Sequence, residues 1–90
     1  MDTRFITAQD EYTALSGSID CLEDNELQSI LEDETVLNDY VELLEEEVEG
    51  DIEADAATAQ DRVISALSKA GELRQAFRRV VKTQLEFHAS

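Results

Sequence analysis

The sequence has no proline, no tryptophan, three glycines and one cysteine, and it sets seven lysines and arginines against 22 aspartates and glutamates in 90 residues. Three glycines leave no room for a glycine-rich phosphate loop. A single cysteine, Cys21, closes no disulfide within the chain. Its neighbours Asp20, Glu23 and Asp24 disfavour a thiolate, so Cys21 is expected as a small buried hydrophobe. No stretch approaches the roughly 18 apolar residues of a membrane span. Met1 to Gln9 lacks the apolar run of a signal peptide, so a cytoplasmic protein is expected. A chain this short buries only roughly 60 to 65% of its unfolded surface, which excludes a multidomain enzyme. The apolar fraction of 42% still permits a packed core, and one domain over residues 1–90 is the expectation.

What the sequence does contain is helical periodicity, because apolar residues alternately three and four apart fall on one stripe of a helix. Ala8, Tyr12, Leu15, Ile19 and Leu22 form a first stripe over about 8–22, with Thr7 placed to cap it and Asp10 at the third helical position, as in a capping box. Gly17 weakens its middle. Leu27, Ile30, Leu37, Val41, Leu44 and Val48 form a second stripe over about 25–49, interrupted by Glu34. That gap fits either one helix or two that meet near Asp33, with Asp33 or Thr35 capping the second.

The third stripe runs through Ile52, Ala56, Ala59, Val63, Ala66, Ala70, Leu73, Phe77 and Val80 without a slip, which predicts a long helix over about 52–88. Gly50 followed by Asp51 reads as a stop and a new cap, and Gly71 as a tolerated interior glycine costing about 1 kcal/mol. The tetrapeptide Thr-Ala-Gln-Asp occurs at 7–10 and again at 58–61, each time followed shortly by Ala-Leu-Ser. Two similar helix starts arising independently explain this as simply as a duplication. If the second copy is a start, the last helix begins at Thr58 and 51–57 is a linker. The expected architecture is all-α, a helical hairpin or three-helix bundle with a long C-terminal helix and coiled-coil-like packing. Such a helix would measure about 55 Å, too long to bury its stripe against the second helix alone. Either the first helix packs end to end beside the second, or the C-terminal turns reach a partner, and the bulky half, Leu73, Phe77, Val80, Val81, Leu85 and Phe87, is the expected oligomerisation or docking surface.

Charge is the strongest signal. Residues 1–61 carry a net −19 and residues 62–90 a net +4, for −15 in all. On a helical wheel Glu42, Glu45, Glu46, Glu49 and Glu53 gather within a sector of roughly 100°, opposite Leu37, Tyr40, Leu44 and Val48, and Asp55 extends the run. Like charges so spaced repel by a few tenths of a kcal/mol per pair, so a ridge of this kind is an inefficient route to solubility alone. The seven acids from Glu45 to Asp55 occupy about 16 Å of helix, a density comparable with one charge per roughly 1.7 Å of DNA duplex. In composition and size the chain resembles the small acidic DNA-mimic inhibitors encoded by phages and mobile elements, and that resemblance implies a basic, nucleic-acid-binding partner.

Other chemistry fits poorly. Asp51, Glu53 and Asp55 match the start of a calcium loop, but Ala56 stands where glycine makes the turn and Arg62 where a bidentate glutamate closes the site. The one histidine, His88, has Leu85 three residues before it in place of a glutamate, so no carboxylate-bridged metal site is expected. No catalytic residue and no cofactor are expected, and a net −15 opposes direct nucleic-acid binding. Tyr12 and Tyr40 lie on apolar faces and read as core. Two functions remain. One is a non-enzymatic acidic inhibitor or regulator that contacts a basic protein through Glu42, Glu45, Glu46, Glu49, Glu53 and Asp55. The other is an assembly or adaptor protein that oligomerises or docks through its C-terminal helix.

Overall fold

Thr7 and Thr58 open two helices by the same device. In each case the threonine hydroxyl accepts the amide of an aspartate three residues on (Asp10 at 3.1 Å, Asp61 at 3.2 Å), and that aspartate accepts the threonine amide in return. The repeated tetrapeptide is thus a pair of capping boxes. The computed structural model describes residues 6 to 89, and among them the chain forms five helices and no strand. They are α1 (Ala8–Ser16), α2 (Asp24–Glu32), α3 (Glu34–Glu53), α4 (Ala59–Lys69) and α5 (Leu73–Ala89). None of them is long and apolar enough to cross a membrane.

The all-α expectation holds, with helices shorter and more numerous than the stripes suggest. α1 ends at Ser16, not near 22, and residues 17–21 continue as turns that still deliver Ile19 to the core. Those turns place Cys21 at the surface, against the expectation that it is buried. The second stripe is two helices. Asp33 adopts an extended backbone and its carboxylate accepts the Thr35 amide at 2.9 Å, capping α3.

The expected long helix over 52–88 is overturned, and the molecule's greatest extent of 37 Å has no room for a rod of about 55 Å. Its place is taken by the end of α3, then α4, then α5, separated by two reversals of one type. After α3, Ala56 donates to the Asp51 carbonyl at 2.8 Å and Asp55 to Ile52 at 3.1 Å, with Asp55 at φ +60°. After α4, Glu72 donates to Leu67 at 2.9 Å and Gly71 to Ser68 at 3.0 Å, with Gly71 at φ +73°. Both are Schellman endings, in which a left-handed residue turns the last amides back onto open carbonyls. Gly71 is therefore a boundary and not an interior glycine. Gly50 does not stop α3, which runs one turn further to Glu53.

The helices close around α5, which packs against each of the other four, while α1 also packs on α4, α2 on α3, and α3 on α4. Phe77, Ala76 and Val81 have no exposed surface, and Leu15, Ile19, Leu27, Ile30 and Leu37 meet them from α1, the following turn, α2 and α3. Tyr40 on α3 stacks on Phe77 with ring centroids 6.2 Å apart. A polar chain fastens one side: the Tyr12 hydroxyl donates to Gln84 at 2.6 Å, Gln84 meets His88 at 3.3 Å, and His88 pairs with Asp24 at the start of α2.

The two reversals share their hydrogen-bond pattern but not the residue at the left-handed site, glycine in one and aspartate in the other, and each has open space where a side chain would stand or already projects. Gly71→Ala is expected to lower stability by about 1 kcal/mol, and Asp55→Gly to raise it by about 0.5 to 1 kcal/mol, read as opposite shifts of the urea midpoint.

Candidate acidic binding surface on α3

The inner stripe of α3, Leu37, Val41, Leu44 and Val48, is buried and fixes the rotation of the helix. The opposite side is thereby committed to solvent. Glu42, Glu45, Glu46, Glu49 and Glu53 are all exposed, and none forms an ion pair with another described residue. The structure brings these five together on one helix and leaves Asp55 off it. As the left-handed residue that ends α3, Asp55 belongs to the reversal and not to the ridge. Glu47 and Asp51 project from the other flank, so the ridge is sparser than the seven acids between Glu45 and Asp55 suggest. Five carboxylates over about 16 Å make one per 3 to 4 Å, close to the spacing along one DNA strand.

The basic C-terminal third does not neutralise the ridge. Arg79 grips Glu11 on α1 through two hydrogen bonds of 2.7 and 3.1 Å, which hold its guanidinium above the usual arginine range. Arg62, Lys69, Arg74, Arg78 and Lys82 are exposed and take part in no ion pair among the described residues.

Between α3 and α4 the ridge borders a groove of about 420 Å³. One wall carries Glu45, Glu49 and Glu53, the floor Val48 and Ile64, and the far wall Ser65, Ser68 and Lys69. Ile52 stands at its rim, 45% exposed. Further hollows, sharing Ile52 at one end and Glu45 at the other, extend it toward Arg62 and Arg74. Sequence reasoning assigned Ile52 to a buried stripe and overlooked Ser65 and Ser68. The available signal was the pair of small polar residues three apart on the face beside Ile64 and Leu67.

The expected docking surface on the last helix is mostly interior. Leu73, Phe77, Val80 and Val81 are at most 3% exposed, because the breaks fold α5 into the middle of the bundle, where its apolar face is already covered. Leu85 packs partly buried against the core. Phe87 alone stays open, 63% exposed, with its ring edge-on to Tyr12 at 6.2 Å. Tyr12 and Tyr40 are partly buried against the core, as expected.

The pKa of Asp51 is raised above its ordinary 3.8, first by a hydrogen bond with Asp61, then by the like charge of Asp61, with burial and Glu47 adding to the effect. Asp61 is buried, held by the Thr58 amide at the start of α4. The α3–α4 contact therefore carries a built-in acidic repulsion.

Two measurements check this account. Phe77→Ala is expected to cost about 3 to 5 kcal/mol in chemical denaturation, whereas Phe87→Ala shifts stability by less than about 0.5 kcal/mol. The Asp51 carboxyl binds its proton more readily in the folded state, so its contribution to stability grows as pH falls through its raised value toward 3.8 and is lost at neutral pH. Asp51→Asn is expected to stabilise the protein at neutral pH and to flatten that acid-side rise, measured by urea unfolding at about pH 7 and about pH 4.5. Comparison of the chain with protein-family models, curated proteins and solved structures yields no match, so geometry and charge carry the functional argument.

Proposed function

We propose that the chain is a small non-enzymatic binding protein that inhibits or regulates a nucleic-acid-binding protein by occupying its basic surface with the carboxylate ridge of α3. The single observation that supports this is the state of Glu42, Glu45, Glu46, Glu49 and Glu53: five carboxylates on one packed helix, exposed and outside every ion pair among the described residues. An array of that kind steers a positively charged partner toward it and competes with phosphate by releasing the counterions bound there. Rigidity matters as much as charge. An unanchored acidic segment would have to be ordered on binding, whereas the buried stripe of α3 has already met that cost in folding. The alternative, docking through α5, retains little surface, since Leu73, Phe77, Val80 and Val81 lie in the core.

The test begins with a tagged chain used to capture partners from its native host at low salt, followed by titration of the complex. The captured protein is expected to bind duplex DNA or RNA and to be displaced by it. Affinity should fall about tenfold or more between about 50 and 200 mM salt. Reversal of Glu45, Glu46 and Glu49 to lysine should abolish capture, with Phe87→Asp leaving it intact. A complex indifferent to both salt and the triple reversal would overturn the proposal.

A further inference from the structure

We propose that the groove between α3 and α4 is the seat for a basic amphipathic helix of the partner, so that the contact is an apolar anchor flanked by charge and not a charged surface alone. This rests on α3 being the surface that meets a basic protein, and it names the segment that docks there.

Three observations converge on that occupant. The first is shape. From Val41 to Ile52 the linked hollows follow about 16 Å of α3, which suits three turns of a helix better than a compact ligand. The second is the apolar floor. Val48 and Ile64 lie beneath the groove and Ile52 stands exposed at its rim, while Ser65 and Ser68 leave the opposite wall low. An apolar side chain laid there covers chiefly Ile52, since Val48 and Ile64 are already almost wholly buried. Helices laid in grooves bind in this way, with anchors three or four residues apart. The third is charge complementarity. Glu45, Glu49 and Glu53 recur every four residues along one wall, the interval at which lysines or arginines repeat along one flank of a helix.

The opposite wall narrows the choice further. Lys69, with Arg62 and Arg74 at the two ends, puts positive charge along the α4 side. A segment basic on both flanks is repelled there. The occupant therefore has an apolar stripe, lysine or arginine along the flank that meets α3, and neutral or acidic residues along the flank that meets α4.

The probe is a synthetic helical peptide of about five turns, with a leucine stripe, lysines on one flank and glutamines on the other. Its control has the same composition, scrambled to destroy the stripe. Fluorescence anisotropy with the full chain is expected to show the amphipathic peptide binding at least tenfold more tightly than the scrambled one. Ile52→Asp should remove most of that preference. If this variant unfolds, the exposed triple change Glu45→Gln, Glu49→Gln and Glu53→Gln keeps the test alive, because it deletes only charge and should weaken the peptide tenfold or more. Equal binding of both peptides, or a preference unmoved by Ile52→Asp in a folded variant, would overturn the groove. Loss of both peptides on reversing Glu42 and Glu46, which lie outside the groove, together with equal affinities, would leave the ridge as the binding surface and sink only the groove. Tight, salt-independent binding that needs Ile52 but none of the glutamates would count against both the ridge and the charged wall.

Discussion

Burial of the apolar face of α5 against four other helices is the interaction on which the rest of the molecule depends. Phe77, Ala76 and Val81 are fully enclosed, and residues from α1, α2, α3 and α4 converge on them. Each large side chain so buried stabilises the fold by about 1.5 to 3 kcal/mol, whereas a pair of like charges one helical turn apart costs a few tenths. With 17 buried apolar residues among those described, all but three of them larger than alanine, burial outweighs repulsion by a wide margin. That is how a chain of formal charge −15 folds at all.

The same packing decides where the charge goes. α3 is held by Leu37, Val41, Leu44 and Val48 and so cannot rotate its glutamates inward. α5 is held through Phe77 and Val81, which turns Arg74, Arg78 and Lys82 outward. Among the described arginines and lysines, only Arg79 lies where a carboxylate of another helix meets it, at Glu11. The acidic and basic surfaces thus remain apart because the core fixes both helices. The bases are numerous enough to neutralise part of the ridge, yet their placement prevents it.

Much of the fold was legible in the sequence because stripes and caps are local. The six positions of the second stripe, Leu27, Ile30, Leu37, Val41, Leu44 and Val48, all lie in the core, and Thr7 capped α1 as its spacing implied. What misled was the third stripe. Its four-three alternation continues through two chain reversals because Ala56 and Ala70, exposed in the connections, keep the count. Of its nine positions only Ala66, Leu73, Phe77 and Val80 are buried, while Ile52, Ala56, Ala59 and Ala70 are exposed and α4 buries Ile64 and Leu67 instead, so an unbroken count of apolar residues establishes neither burial nor a straight chain. The first reversal was signalled by the second Thr-Ala-Gln-Asp, whose reading as a helix start matches the Thr58 cap of α4, but its turning residue was not, since Asp55 takes a left-handed conformation that glycine usually holds, while Gly50 five residues earlier stays helical. The second was signalled by Gly71, and the intact register concealed it. Of the candidate site, the five glutamates were legible because α3 is long and regular. The groove was not, because it depends on how α4 returns.

The extra turn of α3 past Gly50 links these points. Had the helix stopped at that glycine, Ile52 and Glu53 would lie in a linker, and the wall of the groove would end at Glu49. By running on to Glu53, α3 carries an apolar side chain beyond the reach of the core and sets it beside the third glutamate of the row. The turn brings Asp51 against Asp61 and so incurs repulsion at the α3–α4 contact. A helix end chosen for stability alone would avoid both an uncovered isoleucine and a raised carboxyl. Charge at long range sets how fast a partner arrives, while desolvated apolar contacts set how long it stays. Under the proposed function the ridge supplies the first, and Ile52, positioned by this one additional turn, supplies the second.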